Sequence, residues 1–319
     1  MDDLRFYDFE FNLLDIRADY ISVNHQVYYN KIGQFEAHFP ISKDLPELLS
    51  KNKYLVCVHG ENAAIITGFS IGEDVSIFGR TCNWLFSKRV VAATEAVTEK
   101  AEKLAREMVL SAFSDCKDLV LGDSLYDEKE VSVKRDDPEL LSIALFNCLS
   151  LAGLGNELVF DIGNKLWVYK TLKGKKLPLV LGESDRNMYG GKYSYDCLDY
   201  CRSAWYKKAP QSESEDYVWT CFNSGGDEGI KRWECLLLAD TEEEARQALL
   251  NKTRKGKASF GAANLILHKD YELGDLVSLR IEKGDFVSVA TMRIVGVHSW
   301  YEEGYSGEEP IMEEVENEL

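Results

Sequence analysis

Two hydrophobic periodicities alternate along the chain. In the first ninety residues apolar side chains tend to recur at every second position. Tyr7, Phe9, Phe11 and Leu13 are separated by Asp8, Glu10 and Asn12, which predicts one half-buried strand. Phe35, Ala37 and Phe39 alternate in the same way with Gln34, Glu36 and His38, and Pro40 then stops the ladder because it has no N–H. "YLVCVH" and "AAIITGFSI" flank Gly60-Glu61-Asn62 and predict a hairpin. Several short strands with turn residues between them point to a small barrel or sandwich.

From Thr94 the period lengthens. Val97, Ala101, Leu104, Ala105, Met108, Val109 and Ala112 fall on one face of a 3.6-residue repeat, which predicts an amphipathic helix. Asp137-Pro138 predicts the start of a second helix, with Asp as cap and Pro in the first turn. It runs to the glycines at 153 and 155 and is apolar on most sides, so it is expected to be buried.

Strands resume over "NELVFDIGNKLWVYKT", with Gly163-Asn164 as a tight turn. Residues 173–211 are rich in Gly, Tyr and charge, and their pattern assigns no particular elements. "DYVWTCF" and "KRWECLLLA" predict a strand pair around "NSGGDEG". Thr241 and Glu244 match a capping box, opening a helix that ends at Lys252, Arg254 and Lys255 before Gly256. Last comes a ribbon. Val277, Leu279 and Ile281 alternate with polar residues, as do Val287 and Val289, across a turn at 282–285. Leu273-Gly274-Asp275 ahead of it is a turn in which Gly274 is free to take a positive φ. The class is therefore α+β.

Composition narrows the function. The chain has 319 residues, 45% hydrophobic and 29% charged, enough for two or three domains. No apolar run is long enough to span a bilayer, so no membrane insertion by this chain is expected. The acidic start lacks the pattern of a secretory signal, so assembly in a cytoplasm is expected. The eight cysteines (57, 82, 116, 148, 197, 201, 221, 235) sit mostly in apolar segments, and eight reduced thiols are expected rather than bridges or a zinc site. A net charge of −17 argues against a surface that reads nucleic acid. Beyond Arg293 lie eight acids and no Lys or Arg, a solvated tail or one that orders against a partner.

Catalytic patterns are missing. The five histidines (25, 38, 59, 268, 298) form no metal-binding spacing, and there is no nucleophile elbow. "NSGGDEG" and "TLKGKKLP" match no phosphate-binding loop. No catalytic, cofactor or metal residue is assigned. Carboxylates are numerous enough that a glycosidase pair stays open on counting alone.

The order of the segments carries a resemblance. "FYDFEFNLLDI" is followed by "VYYNKIGQFEAHFP", "SIFGRTCNWLFSKRVV", the helices, "RWECLLLA", a capped helix and "YELGDLVSLRI…MRIVGVHSW". The matching pieces are Gly33 and Phe35, Gly79 and Arg80 with Arg89, then Arg232, Trp233 and Glu234, and finally Gly274 and Asp275 with Arg293. This succession resembles the tail-tip hub proteins of long-tailed bacteriophages, the siphophage relatives of the contractile-phage baseplate hub. It covers about residues 4–300 and leaves 173–211 and the acidic end unmatched.

The resemblance implies two small tube-type β-barrels, residues 1–90 and 212–300. Between them would lie a helical segment, 91–156, and a mixed β insertion, 157–211, with an acidic C-terminal tail at 301–319. It also implies a homotrimer that closes the tail tube, presenting six barrels to a six-fold ring and a three-fold face to a tip or spike. The implied neighbours are the tail tube or distal tail protein, the tape-measure protein and the tip or spike protein. DNA would pass through a net-negative channel without specific binding. The implied location is the virion tail tip. A tail-borne cell-wall hydrolase and a glycan- or receptor-binding tail module are the alternatives, the second suggested by "NMYGGKYSYDCLDYCRSAWY".

Overall fold

The computed structural model describes all residues except 1–2, 197–199, 209–215, 224–227, 238, 240, 251–254, 263–264, 303 and 316–319. The chain forms two compact units, one of residues 1–192 with 259–312 and the other of residues 193–258 with 313–319. The expected stretch 212–300 is therefore divided between them.

The first seven strands of the first unit are β1 (Leu4–Asp8), β2 (Leu13–Arg17), β3 (Ser22–Tyr28), β4 (Gln34–Phe39), β5 (Leu55–His59), β6 (Asn62–Ile71) and β7 (Val75–Thr81). They lie in the order β3-β4-β7-β6-β5-β1-β2, with neighbours antiparallel. Phe35, Ala37 and Phe39 are buried as their alternation predicts, and Leu4, Phe6, Val23 and Ile77 complete that core. Helix α1 (Asp44–Lys51) adds Leu45 and Leu49 to the same cluster. Among the described residues the strand path stays open at β2, and no closed barrel is formed.

The single strand expected over 7–13 is instead a hairpin. The Asp8 carboxylate accepts the Asn12 N–H at 2.8 Å and its side-chain amide at 2.9 Å, and Phe11 turns at φ 65°. The Phe11 ring then stacks on Phe160 at 4.3 Å, a distant partner that outweighs the local period. Leu13, beyond the turn, is left 49% exposed.

Thr94–Lys100 is a strand and not the start of a helix. It pairs with Glu130–Arg135, Val97 opposite Val133, and β-branched Thr94, Val97 and Thr98 suit that role. Helix α2 (Ala101–Ala112) follows. Helix α3 (Leu141–Ala152) starts after Asp137-Pro138, because Glu139–Leu140 pairs with Val90–Val91 first. It ends at Gly153, whose φ of 70° makes the left-handed cap that glycine tolerates best. Leu141, Ala144, Leu145, Cys148 and Leu149 are buried, but Ile143 and Phe146 are exposed, so the helix is buried on one side only.

Gly155–Asp161 and Leu166–Leu172 form the expected hairpin, with the left-handed residue at Lys165 rather than at Gly163. The Asp161 carboxylate holds that turn through the Asn164 N–H at 3.0 Å and amide at 2.8 Å.

The ribbon pairs Leu276–Lys283 with Phe286–Glu302 across Gly284-Asp285, with Gly284 at φ 60°. Its phase differs from the expected one on the return strand. Val277 and Leu279 are buried opposite Met292 and Ala290, since residues directly opposite share a face. Val287 and Val289 stand opposite Glu282 and Arg280 and are 62% and 65% exposed. The return strand is 17 residues long, and its far half pairs with β3 from Gly296↔Tyr28 to Glu302↔Ser22. That length joins the ribbon to the sheet of the first ninety residues. The acidic end is not frayed throughout: Tyr305–Glu314 is a strand beside the long one, with Met312 buried.

Residues 173–211, whose elements the sequence pattern leaves unassigned, hold strands Lys176–Leu181, Met188–Asp196 and Ser203–Lys208. In the second unit Val218–Asn223 and Glu234–Leu236 do not pair with each other. Both pair with Ser203–Lys208, the first antiparallel and the second parallel. Helix α4 (Glu242–Leu250) brings Ala245 against Tyr206 and Ala239. The side chain of Glu244, and Lys252 and Arg254, lie outside the described residues; Lys255 opens a strand, Lys255–Ala262. No helix among the described residues is long and apolar enough to cross a membrane.

Candidate functional site

The densest meeting of distant segments lies around Tyr29, immediately after β3. Its N–H donates to the Val295 carbonyl at 2.9 Å, and its carbonyl accepts the Asn156 N–H at 2.9 Å. The phenol hydroxyl lies 3.0 Å from the carbonyl oxygens of both Gly153 and Leu172. Arg293, on the long strand, donates to the same Gly153 carbonyl at 3.0 Å, with its guanidinium 5.6 Å from the Tyr29 ring. Burial pushes the Tyr29 phenol up, against the opposing pull of Arg293 and of backbone hydrogen bonds, so it stays a neutral donor.

Glycines make room for that ring. Gly274 has φ 91°, and a Cβ there would lie 2.2 Å from Tyr29 Cε2. A Cβ on Gly155 would lie 2.2 Å from the Tyr29 carbonyl oxygen, and one on Gly174 would lie 1.8 Å from the Gly274 oxygen. Beside them Asp275, 1% exposed, accepts the N–H groups of Lys175 at 2.8 Å and Glu272 at 2.9 Å. The Gly274 N–H and Asp275 carbonyl bond Ile294 on the long strand at 2.7 and 2.9 Å. The junction thus locks the end of β3, the cap of α3, both strands of the 155–172 hairpin and the ribbon. It presents no nucleophile paired with a base.

Gly274, Asp275 and Arg293, singled out in the sequence, converge here. Tyr29 and Gly174 are equally central and nothing in the sequence pattern marks them. Gly153 and Gly155 are marked only as the end of a helix, which does not say what fills the space beside them.

The other marked residues fall elsewhere. Gly33, Phe35, Gly79 and Arg80 meet on β4 and β7, with Phe35 opposite Gly79 and Gln34 opposite Arg80. A Cβ on Gly79 would lie 2.5 Å from the Ile65 oxygen, and one on Gly33 1.9 Å from the Gln26 oxygen, so both are close-approach positions. Arg89 stands apart, paired with Asp115 at 3.0 Å and lying over the Phe113 ring at 4.8 Å. Arg232, Trp233 and Glu234 belong to the second unit. There Arg232 pairs with Glu234 at 2.7 Å, Trp205 donates to Glu234 at 3.1 Å, and Trp233 meets the edge of Tyr200 at 6.0 Å.

The seven described cysteines are free, and Cys197 lies outside the described residues. Burial pushes the Cys148 thiol up to about 12 and raises Cys57 and Cys82 as well, which keeps them as unreactive thiols. Among the described residues no three His, Cys, Asp or Glu side chains are grouped to hold a metal. His38 sits 2.7 Å from Asp74 and 3.2 Å from Glu36 on the outer face of β4, an ion-paired surface group.

No family model matches the sequence, and no curated protein is similar to it. Solved structures are similar in fold. A tail protein from Neisseria meningitidis MC58 matches 99% of this chain with 97% of its own, at a TM-score of 0.62 and 11% identity. A tail protein of prophage MuSo2 from Shewanella oneidensis matches over 98% of each chain, at a TM-score of 0.59 and 11% identity. A prophage tail protein from Listeria monocytogenes EGD-e matches 97% of this chain with 94% of its own, at a TM-score of 0.55 and 12% identity. Over nearly its whole length, the chain has the fold of phage tail proteins.

Proposed function

We propose that the chain is a structural protein of a bacteriophage tail, the hub that closes the end of the tail tube. The observation that carries this reading is end-to-end similarity in fold to tail proteins, spanning both units and not one portable module. The Tyr29 junction fits it, because it joins segments and offers no chemistry.

Three copies assemble about the tube axis, each offering two tube-type β modules to a six-fold ring. One module is built on residues 1–90 and the other on the ribbon. The opposite face keeps three-fold symmetry for a tip or spike. The exposed edge of β2, with Leu13, Leu14 and Ile16 uncovered, supports a further strand or neighbour there. A net charge of −17 suits a channel wall that repels DNA in transit. The tube protein, the tape-measure protein and the tip or spike are its neighbours in a virion tail tip assembled in the host cytoplasm. Co-expression with the neighbouring tail proteins, followed by mass measurement of the purified assembly, tests this. Three copies per ring are expected, and a dimer, or no incorporation, would refute it.

A further inference from the structure

The two ends of the β3-β4-β7-β6 sheet are finished differently. Where β3 begins, three isoleucines are exposed: Ile21 just before β3, Ile41 just after β4, and Ile71 at the close of β6. The register gathers them at one end, since Ser22 stands opposite His38, while Phe39 and Ile71 both stand opposite Val75. Acids surround them. Asp19, Glu73 and Glu302 are exposed, Glu302 lies opposite Ser22, and Asp74 precedes β7. Lys43 and Arg17 stand among these acids, with Arg17 paired to Asp15 at 2.7 Å.

At the other end, beyond Tyr28, a groove of about 260 Å³ opens between residues 30–32 and α3. Ile143 and Phe146, three residues apart on the helix, are neighbours on its exposed rim, and Ile32 lies in the same wall. Leu140 and its strand partner Val90, both exposed, continue the apolar surface past Ile143. Here the charge is reversed. Lys31 and Lys88 are exposed, Arg89 beside them is paired with Asp115 at 3.0 Å, and among the described residues the groove is lined by Lys31 and no carboxylate. The two ends lie about 20 Å apart, the rise of the seven-residue strand β3 between them.

Copies in a closed ring meet head to tail, so each must carry two different surfaces that fit one another. We propose that these two ends are those surfaces: the acidic isoleucine end of one copy seats against the groove beside α3 of the next. Apolar side chains then meet at the centre, and a negative rim faces a positive one. An apolar centre within a polar rim is the ordinary plan of a protein interface. Two like ends do not suit each other, because Glu73 and Glu302 would face the same acids of their partner. The contact therefore favours a ring over a two-fold dimer. It rests on the three-copy reading above and adds the residues that join the copies.

The full chain, co-expressed with the neighbouring tail proteins, is the material for the test. Native mass spectrometry counts the copies in each assembly, and mass photometry on dilution measures how tightly they hold. Lys31→Glu with Lys88→Glu is expected to weaken the three-copy ring by about tenfold or more, and so is Glu73→Lys with Glu302→Lys. Combining all four exchanges the charges across the same contact, and the ring should return to within about threefold of the original. If circular dichroism shows that a charge variant has not folded, Ile143→Ser with Phe146→Ser decides instead, with the ring expected to dissociate. A ring of three that ignores the deciding substitutions, or one that the combined variant does not restore, would overturn this inference and leave the hub reading standing. No three-copy assembly of the unsubstituted chain would overturn both.

Discussion

Gly274→Ala is the sharpest test of the junction. The substitution places a Cβ at φ 91°, and it would lie 2.2 Å from Tyr29 Cε2 and 2.6 Å from Cζ. The left-handed conformation alone costs an L-residue ~1–2 kcal/mol. The ring cannot swing aside freely, because its hydroxyl is held by the Gly153 and Leu172 carbonyls. The hydroxyl has one proton to donate, so losing its hydrogen bond adds ~0.5–1.5 kcal/mol. The expected destabilisation is therefore about 1.5–3.5 kcal/mol, the sum of those contributions. Urea denaturation followed by circular dichroism measures it. Tyr29→Ala removes the clashing ring, so in the double variant the two costs should fall short of additivity by about 1 kcal/mol or more. Strict additivity, or a loss below about 0.5 kcal/mol for Gly274→Ala, would refute the reasoning that Gly274 exists to admit the Tyr29 ring.

Three other outcomes follow from named groups. Asp275→Ala leaves the Lys175 and Glu272 N–H groups without their acceptor and should cost about 1.5–3 kcal/mol, read in the same denaturation assay. For His38, burial pulls the pKa down, but hydrogen bonding and charge from Asp74 and Glu36 outweigh it and leave it raised. Its contribution to stability is present below the unfolded histidine value and is lost as pH rises through the folded one. His38→Asn should flatten that part of the pH–stability curve, and an unchanged curve would contradict the pairing. Thiol titration of the denatured, unreduced chain should find all eight cysteines, while in the folded chain Cys57, Cys82 and Cys148 should react slowly.

The sequence was legible where burial follows the local period. The 34–39 strand and the 155–172 hairpin bury alternate residues as their sequences alternate, and the Gly60 hairpin is marked by its turn residues, since Leu55, Val56 and Cys57 are all buried. It failed where a distant contact decides. Phe11 looks like a strand residue until Phe160 is beside it, and Val97 like a helix residue until Val133 is opposite. In the return strand of the ribbon, Val287 and Val289 are apolar but stand outside, while Ala290 and Met292 face the core. Hydrophobicity alone does not choose between two apolar faces; the register with Leu279 and Val277 does. The candidate site was half legible. Gly274, Asp275 and Arg293 stood out as turn and strand features, but the ring of Tyr29 that they surround comes from the other end of the chain.

The proposed hub role is tested most directly by a cryo-electron microscopy reconstruction of a tail assembled with the chain present. Three copies in a closed ring are expected at the end of the tube, with the ribbon and the first sheet of each facing successive positions of the six-fold layer. A tail that assembles without the chain, or one that holds it as a dimer or as a lone peripheral copy, would contradict it.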